Sequence, residues 1–300
     1  MRNISSGQDK AEFGNRNVVF CGIVRDCDLN LQRNLDRVES LRPLFNSLRI
    51  VLVENDSKDG TKKTLKRLEE RDSTAIVEMN DFGTVTLPKR LESSVNPSFS
   101  HYRIEKMVRY RNRYLDLIEE KIGYDNIDWV VMLDWDVYGF SIEGFFDTLR
   151  KSGEWDVATA NGRCKTGIYG DVYYDAFAYR PKGLEGPCTE ESIFGGRKAV
   201  DSQLVGENLH RVESGFNGLG IYQAKSLEGV SYRVEANDDP RVEVWCEHVV
   251  FHRDLAKRGF ERVVIDPNLI VEYNTRRDSV KIFARGILSG LVKFFRTNAE

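Results

Sequence analysis

Two aspartates one residue apart, Asp134 and Asp136, follow the apolar run Trp129-Val130-Val131-Met132-Leu133. Side chains alternate faces along a strand, so a strand carried through this stretch turns both carboxylates to one side and Trp135 to the other. Like charges that close raise each other's pKa unless a cation neutralises them, and a pair of carboxylate oxygens suits Mg²⁺ or Mn²⁺. The stretch reads as half of a metal and phosphate site; a polar turn after a core strand is the plainer alternative. Arg111 falls on the apolar face of a predicted helix, where its charge requires an anionic partner, either these carboxylates or a pyrophosphate. Glu247, His248 and His252 share one further predicted helix, with the two histidines four positions apart.

The elements that must position these residues follow from periodicity. Val18 to Val24 is a continuous apolar run, as expected of a strand buried on both faces, and it ends at Arg25-Asp26. Asn30 can cap a helix carrying Leu31, Leu35 and Val38. A strand at Ile50–Val53 runs into the polar loop Glu54-Asn55-Asp56-Ser57-Lys58-Asp59-Gly60-Thr61, which caps a helix with Leu65 and Leu68; Asp56 and Asp59 suit that capping. Ile76–Met79 is a third strand. From His101 to Lys121, Ile104, Val108, Arg111, Leu115 and Ile118 share a helical face, and Gly123 ends it. Alternating strand and helix imply a parallel sheet with right-handed crossovers, and ligands bind beyond the carboxyl ends of such strands. Three ends converge: Arg25-Asp26, Glu54-Asn55-Asp56 and Asp134-Trp135-Asp136. The second half changes character. Strands near Asp156–Ala160, Val172–Tyr179, Leu219–Gln223 and Tyr232–Glu235 lie among glycine-rich loops, followed by a helix to Lys257 and a strand at Val263–Ile265.

A chain of 300 residues with 41% hydrophobic and 30% charged residues is long enough for one large α/β domain. We expect a single domain over 17–275, divided into halves 17–137 and 138–275. Residues 1–16 read as a disordered or extended lead-in, and 276–300 as an amphipathic helix for the protein's own core or a membrane surface. Forty-four Lys and Arg against 47 Asp and Glu provide no global field for nucleic acid. Five scattered cysteines, an odd number without a C-x-x-C pair, point to reduced thiols and a cytoplasmic setting, with the cytoplasmic membrane surface an option through the tail.

An ordered set of motifs resembles the GT-A fold glycosyltransferases, and among them the fungal capsule-associated mannosyltransferases. The set comprises Glu54-Asn55-Asp56-Ser57-x-Asp59-Gly60-Thr61, Arg111-Asn112, Leu133-Asp134-Trp135-Asp136, Tyr174-Asp175-Ala176-Phe177, Ser214-Gly215-Phe216-Asn217-Gly218, Cys246-Glu247-His248 with Asp254-Leu255, and Pro267 before Val271-x-Tyr273. The full Asp-Trp-Asp departs from the Asn-Asp or similar pair of that group, so the donor does not come over with the fold.

The resemblance implies a Rossmann-like nucleotide-binding half with a mostly parallel sheet, fused to a mixed-sheet acceptor half. It implies that Asp134 and Asp136 hold a divalent cation on the donor diphosphate, Asp136 most directly, with Trp135 beside the cofactor. Ile23, Val24, Arg25 and Glu54 would border the nucleoside, and Arg111 would meet phosphate. His248 or His252 would complete the metal shell. Glu247 would face the acceptor, as base in an inverting enzyme or as an orienting carboxylate in a retaining one. Phe216, Asn217 and Gly218 would contact the acceptor, Phe216 by stacking, with a tight turn as the alternative. The expected donor is a GDP-sugar first and a UDP-sugar second, and the acceptor is a glycan or glycolipid hydroxyl. Two rival readings stay open. Asp134-Trp135-Asp136-Val137 also fits the Asp-x-Asp-x-Val of haloacid-dehalogenase-type phosphatases, with Asp238-Asp239 as their late acidic pair, and the fold could serve a non-catalytic nucleotide-sugar or glycan-binding module.

Overall fold

The computed structural model describes residues 6–85, 87, 95–166, 170–195, 204, 206 and 208–275. Its first half is built as the apolar runs require. Strand β1 (Asn17–Val24) pairs in parallel with β2 (Ser47–Asn55) on one side and β4 (Trp129–Leu133) on the other, and β2 pairs in parallel with β3 (Ile76–Asn80). With neighbours on both edges and helices on both faces, β1, β2 and β4 have no solvent-facing side to make polar, which is why their sequences do not alternate.

The second half supplies β5 (Gly139–Phe140), β6 (Val157–Thr166), β7 (Gly170–Tyr173), β8 (Tyr179–Pro181), β9 (His210–Gly215), β10 (Leu219–Gln223) and β11 (Val263–Glu272). The strand order is β3-β2-β1-β4-β10-β6-β11-β9-β8, with β5 on β11 and β7 on β6. Strand β10 runs antiparallel to both β4 and β6, so the parallel half and the mixed half share one continuous sheet. The expected strand at Tyr232–Glu235 does not form. Both main-chain groups of Tyr232 are taken by the side chain of Asn112, at 2.7 and 2.9 Å, which leaves none for a ladder. The expected Val172–Tyr179 strand is broken by the Tyr174–Ala178 loop, which belongs to the site below.

One face of the sheet is covered by α1 (Ser6–Phe13), α2 (Asp28–Leu41), α3 (Thr61–Arg71) and α5 (Ile142–Arg150), through a core that includes Phe13, Leu31, Leu65, Trp135 and Phe145. The other carries α4 (His101–Lys121) and α6 (Glu247–Lys257), with Ile104, Tyr114, Phe251 and Leu255 in its core. The helix Ser6–Phe13 corrects the expectation of a disordered or extended lead-in for that part of 1–16. Phe13 stacks on Phe146 at 5.4 Å and meets the edge of Trp129, and Arg150 pairs with Asp9 and Glu12 of α1. The predicted tail helix, 276–300, lies outside the described residues. No helix among the described residues is long and apolar enough to cross a membrane.

Strand β4 ends at Leu133, and the acidic triplet follows as a turn packed against β1. Gly22 makes room for it: a Cβ there would lie 2.3 Å from the Leu133 carbonyl oxygen and 2.7 Å from the Trp135 ring. Trp135 is fully buried, so it anchors the turn and does not meet a cofactor. The alternation expected of the triplet holds in this sense: Trp135 turns into the core while Asp134 and Asp136 turn to a cleft.

Candidate active site

The cleft has a volume of about 530 Å³. Its floor is the end of β1 (Ile23, Val24, Arg25), Asn55 at the end of β2, and Asp134 with Asp136 after β4. One wall is the face of α4 bearing Arg103, Lys106, Tyr110 and Arg111; the other is Tyr174, Asp175 and Phe177, with Cys246 and Glu247 at the start of α6. The convergence of strand ends predicted from the βα pattern is therefore present, with Asn55 in the place expected for Glu54.

Arg111 ties the site together. Its Nε donates to Glu247 Oε1 at 3.0 Å and its Nη2 lies 3.6 Å from Asp134 Oδ1. The guanidinium lies over the rings of Phe216 and Tyr232, at 5.3 and 5.9 Å from their centroids. A cation this buried persists because two carboxylates face it, and the planar fork addresses both at once. The protein's own carboxylates thus answer the requirement for an anionic partner.

The turn bearing the aspartates is held from both sides. The Asp134 N–H donates to the Gly218 carbonyl at 2.9 Å, Asn30 Nδ2 to the Asp136 carbonyl at 2.5 Å, and Asn34 Nδ2 to the Val137 carbonyl at 2.8 Å. Burial raises the pKa of Asp134, against the lowering charge of Arg111. Crowding at the cleft floor, and then the Asp134 charge, push Asp136 up to about 7. The Asp136 side chain nevertheless stays open to solvent in the cleft, which tempers the first of these causes. A carboxylate pair poised in this way has the oxygen chemistry that hard divalent cations take. Among the described residues no third His, Cys, Asp or Glu joins them to form a metal-holding cluster. The pair fits a cation whose remaining ligands would come from outside these side chains, as is usual for Mg²⁺ or Mn²⁺ at phosphate sites.

Several expected site residues serve the scaffold instead. His252 is fully buried, and both its ring nitrogens are engaged at 2.9 Å, Nε2 with the Tyr222 hydroxyl and Nδ1 with Ser214 Oγ. Burial pushes it down to about 3, and it has no nitrogen left for a metal. His248 lies behind Glu247, stacked on Phe216 at 3.7 Å and 7°, with Nε2 3.9 Å from Glu247 Oε1. Burial, and then the Arg111 charge, hold it well below the usual histidine range. It is 1% exposed and does not line the cleft.

Glu54 is likewise buried. Its Oε1 accepts the Ser57 N–H at 2.7 Å, so it closes the loop after β2 and does not border a nucleoside. Asp59 accepts from the Thr61 N–H at 2.9 Å, the capping role its position suggested. Arg25 stays in the cleft and donates through Nη2 to the Thr84 carbonyl at 2.8 Å. Asp56 holds the same loop by accepting from the Gly83 N–H and the Thr84 hydroxyl; burial raises its pKa, but bonds from Thr84, Asn55 and Gly83 outweigh it and keep the carboxyl well below its ordinary value.

Phe216, Asn217 and Gly218 do not line the cleft, so the expected acceptor contacts are corrected. Phe216 is packed between Arg111 and His248. Asn217 is fully buried, its Nδ2 donating to the Gly162 carbonyl at 3.0 Å and its Oδ1 accepting the Asp175 N–H at 2.7 Å. Gly218 has φ +86°, which only glycine adopts without strain. The segment is a brace: adjacent residues Asn217 and Gly218 fix the backbone of Asp175 and of Asp134 respectively.

Asp175 was not among the expected site residues. Its Oδ1 accepts the N–H groups of Phe177 and Ala178 at 3.1 and 3.2 Å, and its side chain faces the cleft. Burial, and then the Glu247 charge, raise it to about 6. The Tyr174-Asp175-Ala176-Phe177 motif was its only signal, because an Asx turn in a loop looks the same whether or not it borders a ligand.

A family profile described as Cryptococcal mannosyltransferase 1 matches residues 20–254. No curated protein matches the chain. Among solved structures, Staphylococcus aureus TarS 1–349 is similar at 12% identity and TM-score 0.44, with 86% of this chain covering 60% of that one. GalNAc-T7 with UDP, GalNAc and Mn²⁺ is similar at 13% and 0.49, covering 86% and 44%. The mannosyltransferase PcManGT from Pyrobaculum calidifontis, in complex with GDP-Man and Mn²⁺, is similar at 13% and 0.44, covering 87% and 57%. The chain thus spans 44 to 60% of the length of these structures. With the match extending over both halves of the sheet and across every wall of the cleft, the chain belongs to the cryptococcal mannosyltransferase 1 family.

Proposed function

We propose that the cleft binds a nucleotide diphospho-sugar with a divalent cation and transfers the sugar to a hydroxyl of a glycan or glycolipid. The observation that carries this is the pair Asp134 and Asp136 opening together onto a cleft floored by the ends of β1 and β2. GDP-mannose with Mn²⁺ is the first donor to try, on the family relationship, and a UDP-sugar the second. Ile23, Val24 and Asn55 would border the nucleoside, and Arg25, Arg103 and Lys106 offer positive charge to the diphosphate. A cation on Asp134 and Asp136 would neutralise the charge that develops on the leaving diphosphate. Arg111, engaged by Glu247, holds Asp134 in place so that little reorganisation is needed when the donor arrives. In the transfer a bond forms from the acceptor oxygen to the anomeric carbon and the bond from that carbon to the diphosphate oxygen breaks, with its electron pair leaving on the diphosphate and the hydroxyl proton passing to a carboxylate of the cleft.

Thermal shift with GDP, UDP, CDP and dTDP in Mn²⁺, followed by nucleoside diphosphate release from the matching sugar nucleotides, tests this. Stabilisation by one base and release that Asp136→Ala abolishes are expected. Phosphate release from simple phosphomonoesters would favour the phosphatase reading, and binding without turnover the module. Against the phosphatase, Asp238 and Asp239 do not line the cleft, and Asp239 Oδ1 is engaged by the N–H groups of Arg241 and Val242 at 2.8 and 3.0 Å.

A further inference from the structure

Three carboxylates, Asp26, Glu247 and Asp175, border the cleft in addition to Asp134 and Asp136. Asp26 Oδ1 accepts the Lys58 N–H at 2.6 Å and its Oδ2 lies 3.7 Å from Arg25 Nε, so it belongs to the loop after β1, and the other two are fitted for different work. Glu247 is committed. Its Oε1 accepts from Arg111 Nε at 3.0 Å, its Oε2 lies 3.7 Å from Cys246 Sγ, and its side chain is 5% exposed. A carboxylate tied to a buried guanidinium is held in one place and is a poor acceptor for anything else.

Asp175 is built the other way. The Phe177 and Ala178 N–H groups both go to Oδ1, and the Asp175 backbone is clamped by Asn217, itself tied to Gly162. None of the hydrogen bonds among the described residues goes to Oδ2, and the side chain keeps partial exposure to the cleft. One oxygen fixes the orientation, and the other is left to accept among the described residues. Water on that oxygen could be exchanged for a substrate hydroxyl at little cost.

We propose that Asp175 is the residue that contacts the acceptor, its Oδ2 accepting the hydrogen bond of the attacking hydroxyl, and that Glu247 is a positioning residue for Arg111 and Asp134. The assignment rests on the transferase reading above. It moves acceptor recognition from the start of α6 to the loop between β7 and β8, and it gives the buried Asn217 brace a purpose: setting the acceptor-side carboxylate relative to the donor-side pair. The raised proton affinity of Asp175, caused by burial and then by the Glu247 charge, agrees with it, since such a carboxylate gains from any donor hydroxyl.

Asp175→Asn separates the roles, because the amide oxygen can still accept from Phe177 and Ala178 while Nδ2 replaces an acceptor with a donor. Nucleoside diphosphate release is measured for wild type, D175N and Glu247→Gln with the best sugar nucleotide and Mn²⁺, using water alone and a panel of methyl hexopyranosides as acceptors. Melting temperature and the thermal response to nucleoside diphosphate and Mn²⁺ are measured on the same proteins. For D175N we expect wild-type melting and an unchanged nucleotide response, with release reduced about 100-fold and the KM for any hexoside raised. For E247Q we expect a weakened nucleotide response, because Arg111 and Asp134 lose their support. D175N releasing within threefold of wild type overturns the assignment. So does D175N that melts early or loses its nucleotide response, since Asp175 would then serve the fold or the donor. Absence of release from every sugar nucleotide by wild type itself overturns the transferase reading, a failure that precedes any comparison of variants.

Discussion

Asn217 and Asp175 are joined by a 2.7 Å hydrogen bond in which the Asp175 backbone N–H donates to Asn217 Oδ1. Asn217 never reaches the cleft, yet it sets a residue that does. Asn217→Ala should cost about 1–3 kcal/mol, the usual penalty for stranding buried hydrogen-bonding groups. Denaturant unfolding measures that loss, and nucleoside diphosphate release should fall with it even at temperatures where the variant is folded. Full activity in the folded variant would show that the brace does not set the site.

Arg111 is itself buried and is the partner of the buried Glu247 and the half-buried Asp134, so Arg111→Leu should destabilise by about 3–5 kcal/mol. Adding Glu247→Leu should recover part of the loss, because one stranded charge is then removed. A double-mutant cycle from urea unfolding reads the coupling. Additive effects would mean that the two side chains do not depend on each other.

His252 is held neutral at about 3 in the fold, whereas an unfolded histidine titrates near 6.5. The unfolded chain therefore binds the proton more readily. The stabilisation is fully present above about pH 6.5 and is lost as pH falls toward 3. His248 shifts in the same direction. Thermal melts from pH 7 to pH 4 should show a falling midpoint, and His252→Gln should flatten the slope.

Asp136 works with the opposite sign. Its folded value of about 7 exceeds an unfolded value near 3.9, so its contribution is fully present below about pH 3.9 and is lost as pH rises through 7. A cation relieves the ionised form, so stabilisation by Mn²⁺ should be larger at pH 8 than at pH 5.5, and Asp136→Asn should remove that difference. Because the two trends oppose each other between about pH 4 and 6.5, each is read as wild type minus variant.

Gly22 faces the Leu133 carbonyl and the Trp135 ring with no room for a methyl group. Gly22→Ala should cost about 1–3 kcal/mol by overpacking and should weaken the Mn²⁺ response by displacing the turn after β4. A stable variant with a normal metal response would show that the turn moves independently of β1.

The sheet was legible because apolar runs of strand length with no alternation have few other uses, and β1, β2 and β4 fall where those runs lie. The Tyr232–Glu235 stretch misled because aromatic and β-branched residues mark burial as readily as pairing; Tyr232 is buried with its backbone held by Asn112. In the site, Asp134, Asp136 and Arg111 stood out because a charge next to a core strand or on an apolar helix face demands a partner, and Glu247 through its place beside two histidines on one helix and the family resemblance. Glu54, His252 and Asn217 have the same residue types as ligands, but their polar atoms are consumed by the protein, which depends on contacts 3 to 55 positions away. Asp175 was missed for the converse reason. Its turn is ordinary, and only the folded arrangement shows which of its oxygens accepts from the backbone and which has no hydrogen bond among the described residues.

Strand β4 is parallel to a neighbour from the amino-terminal part of the chain and antiparallel to one that arrives some ninety residues later. No cut between the two lobes is therefore clean. A fragment ending near residue 140 would carry the acidic turn on a bare, wholly apolar edge, inviting self-association, while the complementary piece would lack the strand that β10 needs. The parallel half therefore cannot be lifted out and reused as a free-standing part.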